Sequence, residues 1–215
     1  MGPAIRRASP GGTLASVPVV DEPAVALVSP YCDIVSRLDV IPPSARVRGL
    51  YIRNVESQIE KRGKLDEYRS YFPGDRFSSL PWYPIGDYLV RIACAGAIIA
   101  SPPEVHRGMF DIARGNAMAF AGSLLGRAML RLLSRDPVRV TEQGLAAHRQ
   151  STSYSHWEIV HHGERAIEMR YRDEYCWLES LIAGAAHGTF EACGLEPALE
   201  TKLTDRFNGS TFVRW

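Results

Sequence analysis

Six histidines and four cysteines are the side chains here that could hold a metal, carry a proton or attack an electrophile. The cysteines (Cys32, Cys94, Cys176 and Cys193) form no C-x-x-C pair, and Cys94 sits in the apolar run Ala93-Cys94-Ala95-Gly96-Ala97. That pattern reads as buried, reduced thiols, not as a disulfide framework or a zinc ribbon. Adjacent His161 and His162 would point to opposite faces of an extended chain, so one ion cannot take both without a turn. Tyr154, His156 and Glu158 share a strand face at i, i+2 spacing, which could ligate zinc or donate protons. A sheet packed on helices accounts for the same three as satisfied polar neighbours, and that is the preferred reading. His106 falls one turn into a helix beside Phe110, as the polar handle of an apolar pocket or as a surface residue. Asp173-Glu174 reads as a charged strand end with no partner implied. Arg127, Arg131 and Arg135, at i, i+4 and i+8, read as one basic stripe on a solvated helix face. G-x-S-x-G, P-loop and G-x-G-x-x-G motifs are missing, and no nucleophile–base–orienter trio can be read from spacing. The thiols and imidazoles are too dispersed for the paired ligands of a structural zinc site, so no bound metal is expected.

These groups must be positioned by a chain of 215 residues, 46% hydrophobic and 23% charged, with 14 prolines and 18 glycines. One domain, or one domain with a tail, is the expectation, and such a domain buries roughly 70% of the surface its unfolded chain exposes. A net charge of +1 offers no electrostatic reason to expect nucleic acid or an anionic membrane. Arg6 and Arg7 are followed by Gly11, Gly12 and Pro18 without an apolar stretch, so no signal peptide is expected. The most apolar run, Ile92 to Ala100, falls well short of the roughly 20 residues that a membrane span needs. A soluble, cytoplasmic protein is expected.

Residues 1–20 read as a flexible tail and residues 21–45 as a linker or a strand, with a single domain over residues 46–215. Val47–Ile52 reads as a strand, followed by helices from Asn54 to about Arg62 and from Lys64 to Phe72. The segment Leu80-Pro81-Trp82-Tyr83-Pro84 is a rigid aromatic turn. From Ile85 to Ala100 the apolar residues repeat at helical spacing and then surround the helix, which makes it central. Ser101-Pro102-Pro103-Glu104 is a helix start; two helical stretches follow, Pro103–Gly115 and Met118–Arg135. Gly122 and Gly126 in the second read as close packing against a neighbouring helix. Asp136-Pro137 caps another helix running to about His148. The period then changes from 3.6 to 2: Thr152–Val160 and a strand bearing Ile167, Met169 and Tyr171 form a hairpin. A helix from Tyr175 to Ala192 stops at Gly194, and a hairpin turning at Asn208-Gly209 closes the chain. The fold class is therefore α+β: helices packed on an antiparallel sheet, with a C-terminal β-β-α-β-β order.

The motifs Arg48-Gly49-Leu50-Tyr51, Tyr83-Pro84 before a helix, and Leu125-Gly126-Arg127-Ala128, followed by hairpin, helix and hairpin, resemble an uncharacterised paralogous domain family expanded in myxobacteria. The match covers about residues 45–215. Through that family the chain distantly resembles vinyl-4-reductase, haem-NO-binding and TRAPP-type domains. That resemblance implies helices packed on a β-β-α-β-β sheet, and in many such domains a small apolar ligand lies between them. Cys176-Trp177, with Gly184 and Gly188, is similar to the Cys-aromatic start and glycine-bearing helix of vinyl-4-reductase domains. Their zinc is commonly held by further cysteines on the last hairpin, but Thr201 to Phe212 has none, with Leu203 and Thr211 in the corresponding stretch. No histidine falls inside the matching motifs to serve as a haem ligand, so no cofactor is expected.

The residues and the resemblance together predict a non-enzymatic small-molecule sensor or regulatory module with a mainly apolar pocket. Its expected lining is Trp82, Phe110, Tyr154, Trp157 and Cys176, with His106 as polar handle and no catalytic residues. The alternatives are a dimerising adaptor that docks on itself or on a protein partner, and an enzyme using Cys176 or the His156/Glu158 face.

Overall fold

The structure, a computed structural model, describes residues 22–215, and the tail expected over residues 1–20 lies outside them. In place of a linker or strand, the next segment holds two short helices, α1 (Glu22–Val28) and α2 (Ile34–Leu38). Their apolar pieces are one-sided turns: Ala24, Val28 and Ile34 are fully buried. Pro30 and Pro42-Pro43 follow the two helices and keep each short.

Strand β1 (Arg46–Arg48) is shorter than expected, and α3 (Gly49–Glu60) already begins at the glycine. The apolar run Leu50-Tyr51-Ile52 suits either state, and tertiary packing decides it. After α4 (Leu65–Tyr71), the aromatic turn lies down as β2 (Trp82–Pro84), paired antiparallel with β1 so that Arg48 faces Trp82. Helix α5 (Ile85–Ala100) is the central one, with Leu89, Ile92, Ala93, Cys94 and Ala95 fully buried. A 3-10 turn (Pro102–Glu104) leads into α6 (Val105–Gly122), and Ser101 makes no side-chain capping bond there.

Helix α6 runs through Gly115, where a break was expected. A glycine costs about 1 kcal/mol in a helix, less than the packing that holds α6 straight. The bend comes at Ser123, whose hydroxyl accepts the Gly126 N–H at 3.0 Å and starts α7 (Leu124–Leu132). Gly122 and Gly126 therefore flank a corner: Gly126 packs closely on the end of α6, where a Cβ would lie 1.9 Å from the Phe120 carbonyl, whereas a Cβ at Gly122 meets nothing within 4 Å. Helix α8 (Pro137–Ser151) starts as predicted: Asp136 Oδ1 accepts the N–H of Val138 at 2.9 Å and of Arg139 at 3.3 Å.

The main sheet contains β3 (His156–His161), β4 (Ala166–Arg172), β5 (Ala198–Leu203) and β6 (Gly209–Arg214), in the order β3-β4-β6-β5, all antiparallel. A π-helical turn (Leu178–Ile182) and α9 (Ala183–Ala192) join the two hairpins, which is the expected β-β-α-β-β order. Gly209 lies within β6, and the last turn is built on Asp205, whose Oδ1 accepts the N–H of Phe207 at 2.8 Å and of Asn208 at 3.0 Å. Ile167, Met169, Tyr171 and Val213 turn inward to the core. Glycines set how closely the helices approach: a Cβ at Gly108 would come 2.1 Å from the Gly96 carbonyl, and one at Gly184 2.4 Å from that of Phe110. The α5–α6 and α6–α9 contacts are backbone against backbone.

Candidate functional site

Two left-handed residues bring polar side chains into the seam between helices and sheet. Ser155 (φ 62°) interrupts the alternation just before β3, so Tyr154 does not share the exposed face of His156 and Glu158. Asp173 (φ 54°) does the same at the end of β4 and turns Glu174 inward, where it is fully buried. The reading of Asp173-Glu174 as a charged strand end is thus corrected for its second member. The last turn of α8 supplies His148, buried on the same side.

The resulting cluster is tightly connected. Glu174 Oε1 accepts the Cys176 backbone N–H at 3.0 Å, and Oε2 accepts the Trp157 indole N–H at 2.9 Å. His148 Nε2 lies 3.5 Å from Glu174 Oε2 and 3.0 Å from Ser155 Oγ, while Nδ1 is 2.9 Å from the Tyr51 hydroxyl. Trp157 stacks on the imidazole with ring centroids 4.3 Å apart, and the Tyr154 hydroxyl lies 3.7 Å from Cys176 Sγ. Burial by itself would raise the Glu174 carboxyl; His148, the Cys176 N–H and the Trp157 indole outweigh it and hold the group below its ordinary range. Burial first, and the Glu174 charge second, push the Cys176 thiol well above its ordinary value. Burial likewise pushes up the phenols of Tyr51, Tyr88 and Tyr154.

A second polar knot ties this segment to α2. Buried Arg37 donates from Nε to Asp33 Oδ1 at 2.7 Å and from Nη1 to the Tyr175 carbonyl at 3.1 Å. The same Asp33 oxygen accepts the Trp177 indole N–H at 2.7 Å, and Arg206 Nε lies 3.1 Å from the other. Burial opposes ionisation of Asp33, but Arg37, Trp177 and Arg206 prevail and lower its pKa. The segment before the domain boundary expected at residue 46 therefore contributes α2 as a clamp on the Cys176 loop.

Of the six residues predicted from sequence, the structure brings Tyr154, Trp157 and Cys176 together. His106 stands at the margin, with Nδ1 3.2 Å from Ser180 Oγ and its ring edge-on to Trp177 at 6.2 Å. Phe110 packs on His187 along the α6–α9 contact. Trp82 stays on the β1–β2 ribbon with the Arg48 guanidinium 4.1 Å over its ring. Sequence reasoning missed Tyr51, His148 and Glu174. The positive φ at Ser155 and Asp173 that turns their surroundings inward leaves no periodic signal.

A family description, protein of unknown function DUF2378, matches residues 41–215. The chain belongs to the DUF2378 family. No curated protein matches it. Among solved structures it is similar to an Fe(II) unliganded H-NOX mutant from K. algicida at TM-score 0.60 and 10% identity, covering 78% of this chain and 95% of that one. The S. oneidensis H-NOX in its Fe(II)NO ligation state gives 0.54 at 12%, over 78% and 98% of the two chains. A T. Tengcongensis H-NOX mutant gives 0.52 at 14%, over 78% and 96%. At these identities what is shared is the fold. It agrees with the α+β architecture and the haem-NO-binding resemblance read from the sequence.

Another H-NOX structure of similar fold, at TM-score 0.52 and 13% identity, is described as probing the function of haem distortion, which raises the question of a haem ligand in this DUF2378 chain. An axial ligand is an imidazole nitrogen, a thiolate, a thioether or a phenolate with a free lone pair. Both nitrogens of His148 are engaged, and Nδ1 of His106 is on Ser180. Cys176 is held as a thiol by burial. His187 lies against Phe110 along the α6–α9 contact, its buried Nδ1 3.7 Å from Glu191 Oε2. Among the described residues no group of three or more His, Cys, Asp or Glu could hold a metal ion. His148 and Cys176 of the cluster therefore do not fit the role of a haem ligand.

Proposed function

We propose that this DUF2378 chain is a non-enzymatic sensor or regulatory module that takes a small, mainly apolar ligand between helices and sheet, beside Cys176. The observation that carries this reading is the state of the aromatic ring of side chains. Tyr51, Tyr154 and Trp157 keep part of their surface accessible while Tyr51 reaches His148, Trp157 stacks on it and Tyr154 reaches Cys176. These three partly accessible aromatic side chains gather around the buried thiol of Cys176, an apolar lining with few polar groups. The Tyr154 hydroxyl rests on a sulfur at 3.7 Å, a weak partner, and a ligand oxygen at about 2.8 Å would serve it better. An apolar body with one polar atom suits this lining. Catalysis is disfavoured by the same groups: attack needs a thiolate, and burial opposes one at Cys176. Glu174 is fully buried and its pKa is lowered by His148, the Cys176 N–H and the Trp157 indole, which makes it a weak base.

The test is native mass spectrometry and solvent extraction of the purified chain, followed by thermal shifts with a panel of small apolar compounds. A ligand at about 100 times its Kd adds about 2.7 kcal/mol, which a melting curve resolves easily. Tyr154→Phe is expected to weaken that ligand while leaving the fold intact. If nothing is extracted and no compound shifts the melting point or the Trp157 fluorescence, the reading fails.

A further inference from the structure

Helix α7 buries one flank and leaves another bare. Gly126 abuts the Phe120 carbonyl, where a Cβ would come within 1.9 Å, and Leu130 joins Val140 and Cys193 in a small second core. On the outer side Leu124 is 80% exposed, Leu125 69% and Leu132 82%. Leu124, Ala128 and Leu132 follow one another at i, i+4 and i+8, so this is a continuous strip, and exposed Phe120 extends it onto the end of α6. A lone exposed leucine is ordinary; three on one short helix mark a surface built to be covered.

Along the strip runs a cleft of about 300 Å³ between α6, α7 and α9, floored by Met118, Ala121 and Leu130 and edged by Arg127, Arg131 and Arg135. The one carboxylate at its rim, Glu191, is already held by Arg114 through two bonds of 2.6 and 2.8 Å. Helix α7 itself carries no acid. The expected basic stripe is present, although Arg135 lies beyond the helix end in a left-handed conformation (φ 53°). Whole-chain neutrality conceals this local asymmetry.

Leucines flanked by unneutralised arginines match one kind of surface well: an acyl boundary beneath anionic headgroups. A second copy would set an acid-free, arginine-bearing helix against itself and bring like charges together. Among the described residues no single helix is long and apolar enough to cross a membrane, so such contact would be peripheral. We propose that α7 and the end of α6 form a docking surface for an anionic lipid bilayer. Leu124, Leu125 and Leu132 enter the interface, and the three arginines meet lipid phosphates.

The experiment is flotation of the full chain with vesicles of phosphatidylcholine alone and with about 30% phosphatidylglycerol, at low and high salt. Binding is expected on the anionic vesicles, at least about tenfold weaker without phosphatidylglycerol and again weaker in high salt. Leu125→Asp/Leu132→Asp and Arg127→Glu/Arg131→Glu should each reduce it at least about tenfold with unchanged thermal unfolding, because the replaced side chains are exposed. Failure of the parent chain to bind anionic vesicles, or equal binding by both double variants, overturns the proposal. So does a dimer seen by light scattering that Leu125→Asp/Leu132→Asp makes monomeric while vesicle binding is absent; that result assigns the strip to a second copy.

Discussion

Replacing Glu174 separates a structural anchor from an incidental buried charge. The fully buried carboxylate accepts two N–H groups, from Cys176 on one oxygen and from Trp157 on the other. Glutamine keeps one acceptor and turns an NH2 toward the second donor, so Glu174→Gln strands one buried N–H at about 1–3 kcal/mol. Glu174→Leu strands both and should cost roughly 2–6 kcal/mol on the same basis. For a domain of this size each kcal/mol lowers the melting point by about 2–4 °C, so the glutamine variant should melt roughly 2–12 °C early. The parent should also show an acid limb. Its Glu174 pKa lies below the ordinary 4.5, so the carboxylate's contribution is complete above that value and is lost as pH falls through the lower, folded one. Urea unfolding followed by tryptophan fluorescence, between neutral pH and about pH 3, measures both effects. A glutamine variant within about 0.5 kcal/mol of the parent, with an equally steep acid limb, would refute the assignment of Glu174 as the anchor of the seam.

Arg37→Met keeps the length of the side chain but removes the donors to Asp33 and the Tyr175 carbonyl; equilibrium unfolding should show a loss of about 1–3 kcal/mol. An unchanged midpoint would mean that α2 does not clamp the Cys176 loop. Gly184→Ala forces a methyl to 2.4 Å from the Phe110 carbonyl and should cost about 1–3 kcal/mol by thermal melting. Gly122→Ala, where a Cβ meets nothing within 4 Å, should stay within about 0.5 kcal/mol, and equal effects at the two sites would undo the close-packing account. Native thiols should resist a disulfide reagent at mild alkaline pH: Cys32 is pushed up to about 11 by burial, and Cys176 is buried and raised well above its ordinary value. Labelling of Cys176 within seconds, without denaturant, would revive the thiol-enzyme reading.

The two polar knots show how sequence reading and structure diverge. Trp157, Tyr154 and Cys176 were legible as candidates because large aromatics and a cysteine beside Trp177 are conspicuous by type. His148 looked like an ordinary polar residue in the last turn of a helix, and Glu174 like half of a solvated acidic pair. Nothing local distinguishes a buried carboxylate from an exposed one. Its partners, His148 and Trp157, lie many residues away, and the residue that turns it inward, Asp173, adopts a conformation that its side chain merely tolerates. The converse holds for Trp82 and Phe110, apolar enough for a pocket but placed by strand pairing and helix crossing elsewhere.

By itself the sequence determined what short-range physics controls. The all-apolar α5, the Asp136-Pro137 start of α8, the period-2 strands β4 and β6 and the stop at Gly194 each follow from spacing, caps and backbone preference within a few residues. Tertiary structure decided the rest. It made helices of Glu22–Val28 and Ile34–Leu38 and of Leu50-Tyr51-Ile52, and it carried α6 through Gly115 to a corner at Ser123. It also set Glu174, His148 and Tyr51 around Cys176 and left the leucines of α7 uncovered. Each of these outcomes rests on contacts between residues distant in the chain, whose free energy exceeds the small local preferences that a sequence pattern reports.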